Sequence, residues 1–197
     1  NRKLAIIHTT PVTVDSLKAL SAEFLPGWQV VNFVDDSILP QLRDNGGHVA
    51  AVSPRLCAYA TFAEEVGADI ILEACSSVGE AVAAMRARVT VPIVRIDDAM
   101  AEEAVQRGRR IGVAATVPMT LNPTARLLRQ KAAEAGREIE VETLLAEAAY
   151  AKLLAGDRQG HDETLAAELT KLAAKVDVVV LAQASMARVV ETLPAAE

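Results

Sequence analysis

The 197 residues carry 26 acidic against 20 basic side chains, a formal net charge of -6, and 51% of them are hydrophobic while only 3% are aromatic. That is enough apolar material for one large domain or two small lobes, with a core built from Ala, Val, Leu and Ile, as in parallel strands covered by Ala-rich helices. Charges of both signs are spread along the chain without a basic stripe, which argues against nucleic acid as a partner.

No apolar run reaches the roughly 18 residues that a membrane span needs. The N-terminus opens into a strand-like segment with no signal-peptide pattern, and a cytoplasmic protein is expected. Two cysteines, Cys57 and Cys75, make a poor disulfide framework for a chain of this size, so both thiols are expected to be free.

Taken in order, the apolar runs Leu4–His8, Gln29–Val34, Asp69–Ala74 and Val91–Ile96 predict four strands, and Arg110–Ala114, Glu138–Thr143 and Asp177–Ala182 predict three more. Amphipathic stretches lie between them. Ser53-Pro54 reads as a cap followed by a first-turn proline, with Gly67 closing that helix. Asn122-Pro123 reads as the same device, with Gly136 ending its helix, and Gly108 follows another. Strand–helix alternation with short connections predicts an α/β fold with parallel sheets and right-handed crossovers.

An internal repeat sharpens this. Asp69 through Val78 aligns with Asp177 through Met186 at an offset of 108, and Lys3 through Thr13 aligns with Arg110 through Thr120 at 107. Thr9 then meets Thr116, Pro11 meets Pro118 and Thr13 meets Thr120, while the strand at Gln29 matches Glu138. A repeat this long is a duplicated lobe rather than a solenoid unit. We therefore expect two pseudo-twofold-related lobes, 1–97 and 98–197, each with a mostly parallel four-stranded sheet flanked by helices. The partner of the fourth strand would begin near 199, beyond Glu197. Either the natural chain continues, or the second sheet is one strand short.

Ligands of parallel α/β sheets bind beyond the carboxyl ends of the strands. That rule selects His8, Thr9 and Thr10 after the first strand, and Cys75, Ser76 and Ser77 after the third. In the second half it selects Thr116 and Val117, then Gln183 and Ser185. Cys75 stands where a strand hands over to a helix, where a dipole and free N–H groups favour the thiolate, and is read as catalytic. Cys57 sits mid-helix among apolar residues and is read as structural. Thr9 and Thr116 are either carboxylate-binding hydroxyls or turn caps. His8 is either a catalytic base or a satisfied histidine at a strand end. His48 and His161 are read as surface residues, and the pairs Asp35-Asp36 and Asp97-Asp98 as solvated loop ends. No spacing suits zinc and no Gly-rich phosphate loop follows the first strand, so no metal is expected. A flavodoxin-like nucleotide binder is disfavoured for the same reason.

Glu-Ala-Cys-Ser-Ser-Val-Gly-Glu at 73–80, Ala-Ala-Thr-Val-Pro-Met-Thr at 114–120 and Leu-Ala-Gln-Ala-Ser-Met at 181–186 together resemble the aspartate/glutamate/hydantoin racemase superfamily. The resemblance implies two α/β lobes with an active site between them, no cofactor and a dimer. It also implies two cysteines, one per lobe, that exchange a proton at the substrate α-carbon. It assigns Cys75 to the first-lobe cysteine and Thr9 and Thr116 to carboxylate-binding hydroxyls. His8 falls near a position where some members place an acid. Gln183 stands where the second cysteine belongs, and an amide cannot exchange a proton near neutral pH. The expected function is thus a racemase-like isomerase acting on a small carboxylic or amino-acid-like substrate. The alternatives are a one-thiol decarboxylase or lyase of the arylmalonate decarboxylase type and a non-catalytic carboxylate-binding protein.

Overall fold

A computed structural model describes residues 2–183 and 186–193. It divides into two compact units, one ending at Ile96 and the other beginning at Asp97. The first holds a four-stranded parallel sheet of β1 (Lys3–His8), β2 (Gln29–Val34), β3 (Ile70–Glu73) and β4 (Ile93–Arg95), in the order β2-β1-β3-β4. Its helices are α1 (Val14–Phe24), α2 (Ile38–Asp44), α3 (Ser53–Glu65) and α4 (Val82–Arg86). The second holds β5 (Arg110–Ala115), β6 (Glu140–Leu145) and β7 (Val178–Leu181) in the order β6-β5-β7, again parallel. It carries α5 (Asp98–Arg107), α6 (Pro118–Glu134), α7 (Glu147–Leu154), α8 (Arg158–Ala173) and α9 (Ala187–Val190). All seven predicted strands are present. Among the described residues the second sheet has three strands against four in the first, and none of the helices is long and apolar enough to cross a membrane.

Each sheet has its first strand at the centre, paired on both sides. In β1 every residue from Leu4 to His8 is buried, and in β5 every residue from Ile111 to Ala115. This is why those strands read as unbroken apolar runs rather than alternating ones. In the second unit Ile111, Val113 and Ala115 pack with Ala101, Ala104 and Val105 of α5 and with Leu127 and Leu128 of α6. Ala114 faces Leu165, Leu169 and Leu172 of α8 instead. Gly112 lies on that same face; a Cβ there would stand 2.8 Å from the Leu172 side chain, so α8 sits closer than any larger residue permits.

The repeat reappears as matched clamps at the amino ends of both sheets. An Asp69 carboxylate oxygen accepts the backbone N–H of Lys3 at 2.6 Å. Asp177 accepts those of Arg109 and Arg110 at 3.0 and 2.9 Å. Those bonds hold the Asp177 carboxyl below the usual carboxylate range, the Arg110 backbone donor first. Each aspartate thereby fixes the register of its third strand against its first.

Punctuation was read less accurately at helix starts. The cap of α3 is Val52, which follows a 3-10 turn, and Ser53 is already helical without a capping hydrogen bond. The helix α6 begins at Pro118, so Asn122-Pro123 lies inside it rather than at its start. Proline is well placed at the first helical position. Pro123 removes one internal N–H, and the next residue, Thr124, donates its hydroxyl to the Thr120 carbonyl at 2.9 Å. Gly67 and Gly136 do close their helices, with φ of +78° and +64°.

Each acid pair holds a residue that differs from expectation, although Asp36 is exposed as expected. Asp35 is not solvated. Its carboxylate accepts from Ser37 at 2.5 and 3.1 Å, from Tyr59 at 2.8 Å and from Arg55 at 2.9 Å. Asp97 is buried as well, and Asp98 lies 3.4 Å from Lys131. His161, expected at the surface, is buried and bonds Asp162 at 2.6 Å, because α8 packs its first turn inward. His48 is exposed as expected.

Burial works to raise the Asp35 pKa, but the Ser37 and Tyr59 hydrogen bonds and Arg55 outweigh it and leave it lowered. A carboxyl group whose folded pKa lies below its unfolded value of about 3.9 stabilises the fold fully above that value. It loses the contribution as pH falls through the folded pKa. Asp35→Ala should therefore cost roughly 2 kcal/mol at neutral pH in denaturant unfolding. The gap from the parent should begin to narrow as pH falls below the unfolded value of about 3.9 and go on narrowing through the folded pKa; a gap unchanged on acidification would count against the assignment.

Candidate active site

The carboxyl ends of β1 and β3 bring the first group together. The peptide N–H of Ala74 bonds the Ile7 carbonyl at 3.0 Å, so the loops after the two strands leave side by side. Thr9 is buried and its hydroxyl finds no oxygen or nitrogen partner. It faces the Cys75 sulfur without the geometry of a full hydrogen bond, yet close enough to lower the thiol's pKa. Ser77, also buried, adds a backbone N–H and a hydroxyl acting on that sulfur in the same sense. Ser76 opens the 3-10 helix Ser76–Ala81 and is half-buried. Thr10 caps the short helix Pro11–Thr13, accepting from Val12 N–H at 3.4 Å, which is the turn-cap use of a hydroxyl.

The expected low thiol pKa is not found. Burial pushes the Cys75 thiol up, the Glu73 carboxylate pushes it further, and the donors from Thr9 and Ser77 only partly offset them. The residue reaches solvent in part, but the sulfur stands in packed surroundings. The dipole argument fails locally, because Cys75 caps a short 3-10 segment rather than a long α-helix. The sequence reading also missed Glu73. It is fully buried, lies beside Arg95 in the register of β3 and β4, and accepts the Cys75 N–H at 2.7 Å. The Arg95 guanidinium covers Gly79, where a Cβ would sit 2.3 Å from it. An acid ending an otherwise apolar strand was the available signal.

His8 is completely buried. Its Nδ1 meets the Thr13 hydroxyl at 2.8 Å and its Nε2 the Asn32 side-chain oxygen at 2.9 Å. With both ring nitrogens engaged, this geometry favours the satisfied-histidine reading over the catalytic one.

The second unit repeats the arrangement. Ala182 N–H bonds the Ala114 carbonyl at 2.9 Å, which sets the loop after β7 beside the loop after β5. Thr116 is buried. It donates its backbone N–H at 2.7 Å and its hydroxyl at 3.0 Å to the same oxygen, Oε1 of Gln183. Thr116 and Gln183 thus stand where Thr9 and Cys75 stand in the first unit, but with two hydrogen bonds between them where the Thr9 hydroxyl has none. Val117 caps α6 through its backbone alone. Ser185 lies outside the described residues. Cys57 lies in α3, half-buried. Among the described residues no three His, Cys, Asp or Glu side chains gather in a way that would hold a metal ion.

A sequence model of the Asp/Glu/hydantoin racemase family matches residues 7–196. The chain belongs to that family. No curated protein sequence matches it. Its fold is similar to that of glutamate racemase from Aquifex pyrophilus (20% identity, TM-score 0.67, 92% of this chain and 70% of that one). It is also similar to an aspartate racemase homologue from Pyrococcus horikoshii (19%, 0.68, 96% and 88%). Allantoin racemase from Klebsiella pneumoniae is a further match (17%, 0.60, 98% and 78%). At these identities the likeness is one of fold.

The raised pKa gives a direct check on the thiol. Alkylation of Cys75 by iodoacetamide, followed by peptide mass spectrometry, should reach half its maximal rate above the free-thiol value of about pH 8.5. Glu73→Gln keeps an oxygen for the Cys75 N–H but removes the charge, so its profile should move to lower pH. A wild-type midpoint near neutrality would contradict this picture of the thiol.

Proposed function

We propose that the protein is a cofactor-independent isomerase of the racemase type, acting at the α-carbon of a small carboxylic acid through Cys75. Family membership over nearly the whole chain supports the reaction class. The observation that carries the residue assignment is the setting of Cys75. It ends the path out of β3 with the hydroxyl groups of Thr9 and Ser77 acting on its sulfur, at the edge where parallel sheets take their ligands. In the first lobe Thr9, Ser76 and Ser77 beside Cys75 are the groups that would contact a carboxylate, and in the second Thr116, Val117 and Gln183 stand at the corresponding strand ends. Thr10 and His8 shape the first loop. The working assembly is a dimer in the cytoplasm.

A group with a raised pKa is mostly protonated at neutral pH, and its rare thiolate is the stronger base for being rare. Removing an α-proton transfers it to sulfur and leaves the electron pair on an enediolate. Returning the proton to the opposite face then requires a second donor, which Gln183 cannot be.

That observation favours a second reading. In a one-thiol decarboxylation the C–C bond breaks, CO₂ leaves, the electron pair stays on the α-carbon, and the Cys75 proton goes to that carbon. The thiolate then recovers a proton from water. Only one thiol is needed, and it must begin protonated.

Incubation of candidate carboxylates in heavy water separates the readings. α-Deuterium incorporation with inversion supports the isomerase, whereas CO₂ release with one enantiomer of product supports the lyase. Neither reaction with any carboxylate that binds would point to a binding protein. Cys75→Ala and Cys75→Ser should each lose roughly 10²–10⁴-fold in turnover, while Cys57→Ala stays near the parent. Gln183→Cys should create or raise racemisation of a substrate that already binds. Turnover that survives Cys75→Ala would refute the assignment.

A further inference from the structure

The contact between Thr116 and Gln183 constrains more than the position of a side chain. A backbone N–H can only donate, so the atom it meets at 2.7 Å must be the carboxamide oxygen. Rotating the amide by half a turn would set NH₂ against N–H, and the orientation is therefore fixed by chemistry rather than by choice. The Thr116 hydroxyl donates to the same oxygen at 3.0 Å, which fills both lone pairs of that carbonyl. No described residue accepts from Nε2, and Gln183 is only half-buried.

We infer that Gln183 works as a fixed hydrogen-bond donor: Thr116 grips its carboxamide by the oxygen, and the Nε2 amide hydrogens are what the side chain offers a ligand. The group it takes is an anionic or carbonyl oxygen, as on a carboxylate or the enediolate formed from one. The Nε2 group offers nothing to an ammonium group. Thr116 is then a positioning residue, since both of its donors are consumed, and the carboxylate contact that the family resemblance gives to Thr116 passes to Gln183.

This inference rests on the proposed reading in one respect, that the ligand carries a carboxylate, and its test separates the two claims. The Gln183 side-chain NH₂ signals in ¹⁵N-labelled protein are assigned by their loss in Gln183→Glu. The grip itself is read without any ligand, from hydrogen exchange of the Thr116 backbone N–H, which Gln183 Oε1 accepts. Slow exchange is expected in the parent and faster exchange in Gln183→Met, which removes the acceptor. A Thr116 N–H that exchanges equally fast in both overturns the grip.

The donor role is read from the same Gln183 side-chain NH₂ signals on titration with acetate. A saturable downfield shift is expected with acetate, weakened in Thr116→Val, and none with methylammonium. Signals that do not move with acetate, or that move equally in Thr116→Val, overturn the donor role.

Discussion

The site depends on the placement of each lobe's first strand at the centre of its sheet. A central parallel strand has neighbours on both sides, so the loop leaving its carboxyl end is flanked by the loops of both adjacent strands. In the first lobe Asp35 N–H bonds the His8 carbonyl and Ala74 N–H bonds that of Ile7. In the second, Ala146 N–H bonds the Ala115 carbonyl and Ala182 N–H that of Ala114. The Thr that follows each central strand is thereby delivered to the residue that follows the third. Register is set at the far end, where Asp69 and Asp177 hold the backbone of Lys3 and Arg110. A one-residue slip would send the side chains of β3 or β7 to the opposite face and separate Thr9 from Cys75, or Thr116 from Gln183.

The same scaffold therefore carries two different chemistries. In the first lobe the threonine hydroxyl and Ser77 act on a sulfur that burial and Glu73 keep protonated. In the second the threonine meets an amide and spends both of its donors on one oxygen. Duplication supplied equal backbones, and the side chain at one position in each lobe decides what that backbone presents.

The strands were legible because a buried central strand writes itself as a solid apolar run, and because duplication gave every strand except β4 an internal control. The matching of Thr9 with Thr116 and of Cys75 with Gln183 followed from the offsets alone. What was not legible is what long-range partners decide. Asp35 reads as a loop acid until Arg55 and Tyr59, 20 and 24 residues away, are seen to close on it. His161 reads as a surface residue until α8 turns its first turn inward. Asn122-Pro123 carries a strong start signal, yet Pro118 stands four residues earlier at the true start, and tertiary packing of α6 on β5 decided between them. The thiol was misread for a related reason. Helix position is local and visible in sequence, whereas burial and a carboxylate beneath the loop are not.

The last step concerns direction of proton flow. A thiol raised in pKa is a better donor to a carbanion than to water, since carbon acids derived from carboxylates are far weaker than any thiol. Glu73 helps to keep the thiol protonated at the start, because releasing the proton to any acceptor sets two negative charges close together in a packed site. Gln183, gripped by Thr116, supplies no second base. On the one-thiol reading proposed above, both features suit a group that begins protonated and works without a partner thiol. Within a family named for racemisation, that asymmetry is what a one-thiol member would need in order to release a single enantiomer.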